Sequence, residues 1–182
     1  MEQAVTAVKR PGLAELAGKA AVSHTITYFA MGVLAASFLD YAERFSRPEM
    51  VGWMRQLDDP LIMAGPLFQP LRGFIFALAL YPFRDRLFGR KDGWLVMSWV
   101  LVALGILNTF GPAPASVEGM IYTRIPIPDQ AVGYLEVVPQ AFLFSALLFY
   151  WVRHPGKRWL TPALVTVFTL IVLLLIAGLL AR

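Results

Sequence analysis

The chain has no cysteine. That excludes disulfides, thiolate metal centres, iron–sulfur clusters and cysteine nucleophiles. It is also short of charge: Asp, Glu, Lys and Arg make up 15% of its 182 residues, where a soluble domain carries about a quarter. Only two histidines occur, His24 and His154, and they lack the helical spacing of a metal pair, so no metal and no cofactor are expected. Phosphate-binding loops, zinc-protease motifs and nucleophile elbows are absent, and no catalytic residue is assigned. The formal net charge is +4, but no basic stripe with interleaved aromatics appears, so nucleic acid is not an expected partner.

What fills the chain instead is apolar. Hydrophobic residues make up 58% and aromatics 13%, and the mean hydropathy is +0.61. The excess falls in runs near the roughly 20 residues that a helix needs to cross a bilayer, without the alternation of a membrane barrel. The expected fold is all-α: a polytopic integral membrane helical bundle of five transmembrane helices. The spans are read at about 23–41, 67–88, 94–110, 132–152 and 160–180, with 23–182 as one domain. The first run is taken as a retained helix, although Lys9 and Arg10 before it and Val33-Leu34-Ala35 within it resemble a cleaved leader.

Between the spans lie shorter signals. Residues 1–22 read as an amphipathic segment on the cytoplasmic surface or leading into the first span, with Leu13, Leu16, Ala17 and Ala20 on one face. Ser46 and Glu49 have capping-box spacing around Pro48, which predicts an interfacial helix over 47–57. Pro82 and Pro139 are expected to kink the second and fourth spans. Residues 111–131 read as an outer loop, held extended by Pro126 and Pro128 and folded back over the bundle through Ser116–Thr123.

Basic residues set the orientation. Lys9, Arg10, Lys19, Arg84, Arg86, Arg90, Lys91, Arg153, Lys157 and Arg158 fall on one side of this topology, and Arg44, Arg47, Arg55, Arg124 and Arg182 on the other. The positive-inside rule then puts the N-terminus in the cytoplasm and the C-terminus outside. Trp94, Trp151 and Trp159 fall at the cytoplasmic boundary as an aromatic belt. The expected location is a bacterial cytoplasmic membrane. A faint echo links 73–95 to 141–160: each runs Phe-x-Phe, aliphatics, Tyr, Arg and Trp-Leu, as a duplicated two-helix unit would.

Polar residues inside spans are costly and need a reason. Gln69 and Arg72 in the second span, Glu136 and Gln140 in the fourth, Asp40 ending the first and Asn108 ending the third all fall toward the outer leaflet. Glu118 and Arg124 lie in the loop above them. These eight form the candidate cluster: either a polar pocket opening outward under the 111–130 loop, or an Arg72–Glu136 ion pair locking the helices, or side chains reaching the interface. Three functional classes follow. The first is a non-catalytic accessory or scaffold subunit of a larger membrane complex, with the bilayer and partner subunits or further copies as its contacts. The alternative is a small transporter or ligand- or lipid-binding membrane protein with an outward-facing polar pocket. A lipid-acting enzyme ranks last, resting only on carboxylates near the interface.

Overall fold

A computed structural model describes residues 10–181; Lys9, Arg182 and the start of the 1–22 segment lie outside them. Every regular element among the described residues is helical. Four helical stretches are long and apolar enough to cross a membrane: Leu13–Phe38, Pro60–Gly89, Ile127–Arg153 and Leu160–Leu180. A shorter apolar helix runs over Gly93–Leu107. The protein is a small, polytopic, helical integral membrane protein.

Helix α1, Leu13–Phe38, is unbroken from its alanine-rich start. Glu15 in its first turn pairs with Lys19 at 2.7 Å, one turn on. Its threonines would be costly in an apolar bundle, but they turn their hydroxyls back onto the helix: Thr25 donates to the Ala21 carbonyl at 2.8 Å and Thr27 to that of Ser23 at 2.9 Å. Leu16, Ala20, Ser23, Thr27, Met31 and Ala35 recur every three or four residues and are all buried, so they form the face turned toward the other helices. The helix stops where Asp40 takes a left-handed φ of 46°, and Asp40 then caps the short α2, Tyr41–Phe45.

The next stretch differs from expectation. In place of a helix over 47–57 there is one turn, α3, Pro48–Val51. Ser46 makes no capping box, because its hydroxyl donates backward to the Glu43 carbonyl at 2.8 Å, and Gly52 follows the turn. Asp59 caps α4, Pro60–Ala64, accepting from Leu61 N–H at 2.8 Å. A 3-10 turn over Gly65–Phe68 leads into α5, Gln69–Leu80. Pro82 converts the next turn, Tyr81–Phe83, to 3-10 form before α6, Arg84–Gly89.

Arg90 forks onto Asp92 at 2.9 and 2.6 Å and closes the turn into α7, Gly93–Val102. Glycine is required at 93, since a Cβ there would lie 1.6 Å from the Leu87 carbonyl oxygen. The helix then widens into a π-helical segment, Ala103–Leu107. The expected outer loop is partly helical, with α8 over Val117–Tyr122 and α9 over Ile127–Val132. Helix α10, Tyr134–Arg153, carries Pro139 inside it, and α11 is Leu160–Leu180.

Helix α1 is the axis, packed against both α5 and α10, and α10 packs in turn on α7. The main core lies toward the basic loops, where Leu16 and Ala20 meet Ala77, Leu80, Leu87, Phe88, Met97, Phe144, Leu148 and Val152. Cross-element contacts define that end: Arg10 pairs with Asp85 at 3.3 Å, and Arg153 donates to the Arg90 carbonyl at 3.0 Å. Trp151 is buried and bonds Thr161 at 3.0 Å, so it serves packing while Trp159 stays exposed.

Candidate functional site

The opposite half of the bundle is hollow. A cavity of about 850 Å³ lies among α1, α5, α7 with its π segment, and α10, at the upper end of the range for small-molecule sites. The chain from Tyr41 to Pro66 and the loop before α10 complete its wall. Most of the lining is apolar, including Phe29, Val33, Met50, Met54, Leu101 and Phe144. A few polar side chains converge on it: His24, Tyr28, Tyr41, Arg44, Arg72, Asp129, Gln130, Glu136 and Gln140.

His24 is 2% exposed and sits between two rings, with Phe76 at 4.9 Å and Phe144 at 5.4 Å between centroids. These phenylalanines hold corresponding places in the two echoing stretches. Gln69 orients the imidazole. Its amide nitrogen donates to the Gly65 carbonyl at 3.0 Å, leaving its oxygen to accept from His24 Nε2 at 3.0 Å. His24 Nδ1 has no hydrogen-bond partner, so in the neutral ring it is a buried acceptor.

Arg72 lines the cavity and is exposed, its guanidinium 5.9 Å from the Phe76 ring centre. The ion pairs among the described residues include none made by Arg72, so no Arg72–Glu136 bridge forms. Glu136 instead accepts a hydrogen bond from the Tyr41 hydroxyl. Burial first, and then that bond, push the Tyr41 phenol above its ordinary value of 10.0 and keep it a donor. Gln140, one turn beyond Glu136, is buried in the same wall.

The mouth is tied by one carboxylate. Asp129 accepts from Arg44 and from Arg47, both at 3.0 Å, linking the stretch after α1 to the loop before α10. Gln130, 2% exposed, holds that loop together: its oxygen accepts from Ala115 N–H at 3.1 Å and its nitrogen donates to the Ile125 carbonyl at 2.8 Å.

Of the eight residues expected from sequence, Arg72, Glu136 and Gln140 line the cavity. Gln69 stands behind His24. Asp40, Asn108, Glu118 and Arg124 are not part of the lining: Asp40 caps α2, and Asn108 closes the π turn through its N–H to the Ala103 carbonyl at 2.9 Å. The loop contributes to the cavity lining through Ala113, Pro114, Ala115, Ile125, Asp129 and Gln130, and Glu118 and Arg124 do not join Arg72 and Glu136 there. Among the described residues no group of three His, Asp or Glu could hold a metal. No family model, no curated protein and no solved structure matches the chain.

The lining residues that the expected cluster left out include His24, Tyr28, Tyr41, Arg44, Asp129 and Gln130. One signal was present for His24: it lies on the same helix face as Leu16, Ala20 and Thr27, which is the face that turns inward.

Proposed function

We propose that this protein is a non-catalytic, ligand-binding integral membrane protein whose cavity takes up a small amphiphilic molecule. One observation carries the reading: a cavity with a mostly apolar wall holds a guanidinium, Arg72, that makes no ion pair with a carboxylate of the described residues. Apolar walls with a few convergent polar groups are the general form of a small-molecule site. The π segment beside Gly105 supports it, since such segments often mark functional sites. The exposed apolar surface of α11 is what any lipid-facing helix presents, so it adds no weight to a role as a partner subunit.

The test uses Gly105, where an added Cβ meets nothing within 4 Å. Gly105→Trp should place an indole at the cavity wall and narrow it, with no backbone clash at its Cβ. The purified protein is screened by thermal unfolding against short-chain anionic, zwitterionic and neutral amphiphiles. At least one should raise the unfolding midpoint of the parent and leave the variant unmoved. A screen without any shift, or a shift that survives Gly105→Trp, removes the reading.

The same reading includes five crossings, with α7 and its π segment as the third. Its first residue abuts Leu87 and Phe149, and Gly105 and Ile106 line the cavity that Glu136 also lines, so it follows α10 from Phe149 toward the cavity. The basic end faces the cytoplasm of a bacterial inner membrane and the cavity end faces outward. Because cysteine is absent, single cysteines at Lys91 and Pro112 report sidedness without background. Labelling of both by an impermeant reagent from one side removes the five-crossing arrangement.

A further inference from the structure

We propose that the ligand is an anionic phospholipid, admitted sideways from the bilayer through the gap between α5 and α7. This rests on the ligand-binding reading and names its ligand. Helices α5 and α7 follow one another in the chain and are joined through α6, yet they are not among the pairs that pack closely; α1–α5, α1–α10 and α10–α7 are. The four helices therefore form an open arc. The cavity lies inside that arc, with Arg72 and Phe76 on one lip and Leu101, Gly105 and Ile106 on the other.

The outer surface beside the gap is apolar. Leu71 and Ile75 on α5 and Val100 and Leu104 on the α7 side are all exposed. A molecule reaching the gap at this depth therefore comes from hydrocarbon. Its acyl chains remain in apolar surroundings throughout, and only the head group crosses the threshold.

Arg72 stands at that threshold, lining the cavity and exposed at once. A guanidinium offers a planar fork that matches two oxygens of a phosphate. His24 lines the same cavity, but its Nδ1 is closed to anything of water size, so recognition rests on Arg72 and a phosphate group. Soluble glycerol phosphate shares that chemistry and differs in having no acyl chain.

The full chain is reconstituted in phosphatidylcholine vesicles doped with phosphatidylglycerol that carries a photoactivatable group on its acyl chain. Crosslinks should concentrate on peptides of α5 and α7. Arg72→Gln should cut them about tenfold or more, as loss of a charge-assisted hydrogen bond does, and Arg72→Lys should restore part of the signal. Gly105→Trp should block them with an unchanged unfolding midpoint, and excess glycerol phosphate should not compete. Labelling spread evenly over α11 and the other helices, indifferent to Arg72→Gln, overturns the proposal. Full competition by glycerol phosphate without acyl labelling overturns the lateral lipid route but leaves the ligand-binding reading standing. That reading falls separately, when no amphiphile shifts the midpoint.

Discussion

At the scale of single residues, the loop over the cavity contains a strained position. Ala115 has φ 70°, a left-handed conformation that costs a residue with a Cβ about 1–2 kcal/mol. It is held there from both sides: its N–H donates to Gln130 at 3.1 Å, and its carbonyl accepts from the Tyr134 hydroxyl. Ala115→Gly keeps both bonds and removes the steric term, at a smaller entropic cost in the unfolded chain. The variant should be more stable by about 0.5–1 kcal/mol, read from the midpoint of detergent denaturation. An unchanged or lower midpoint means that the neighbours do not impose the conformation. Nothing in the tripeptide Pro114-Ala115-Ser116 announces this, because the strain comes from partners 15 and 19 positions away.

At the scale of elements, two predictions concern the stretch from Tyr41 to Pro66. Asp129 is its anchor, bonded by Arg44 and Arg47 while itself mostly buried. Asp129→Asn keeps the shape and removes the charge, which leaves two guanidiniums sharing one neutral oxygen. Limited proteolysis at Arg44 and Arg55 should quicken several-fold, while cleavage at Arg90 should be unaffected. Equal protection in parent and variant shows that other contacts hold the stretch.

The second prediction concerns pH. The hydrogen bond from Arg55, then the one from Leu61 N–H, hold the Asp59 carboxyl below its ordinary 3.8. A carboxylate depressed in the folded state contributes stability that is complete above its unfolded pKa and is lost as pH falls through the folded value. The start of α4 should therefore stay capped at pH 7 and pH 5 and fray only below about pH 4. Corrected amide exchange at Leu61–Met63 checks this; fraying already at pH 5 contradicts it. Capping of this kind was half legible. Asp59-Pro60 carries the start signal of a helix, but the competing Ser46–Glu49 signal is equally good locally and loses because Ser46 bonds backward to Glu43.

For the whole molecule, the packed end depends on how closely α5 approaches α1. A Cβ at Gly73 would lie 2.5 Å from Ala21 Cα and 2.7 Å from the Ala20 carbonyl oxygen, and backbone cannot yield as a side chain can. Gly73→Val should prevent assembly of the bundle, seen as loss of a monodisperse peak in mild detergent. Gly105→Ala, facing open space, should leave the peak unchanged. A normal peak for Gly73→Val would mean that the two helices separate without cost.

The long spans were legible because apolar length is a property of consecutive residues. The cavity was legible only in part. Arg72, Glu136 and Gln140 stood out as polar residues inside apolar runs, and so they were found. From sequence, His24 showed only that it lacks the spacing of a metal pair, because its partner Gln69 is 45 positions away. Asp129 and Gln130 looked like loop polarity until the fold brought Arg44 and Ala115 to them. The choice of Tyr41 over Arg72 as the partner of Glu136 depends on where α1 ends, and that is set by one left-handed residue, Asp40.

The short helix in the middle of the chain has a consequence for the lipid around it. With 10 α-helical and 5 π-helical residues, Gly93–Leu107 rises at most about 22 Å, against a hydrocarbon thickness of about 30 Å. The 26 residues of α1 rise about 39 Å. On the five-crossing reading proposed above, α7 is therefore shorter than the hydrocarbon it spans. Such mismatch is relieved by local thinning of the bilayer, and the thin side would be the one that carries the proposed gap. Lipid head groups drawn inward there would approach the level of Arg72 and shorten the proposed path from membrane to cavity.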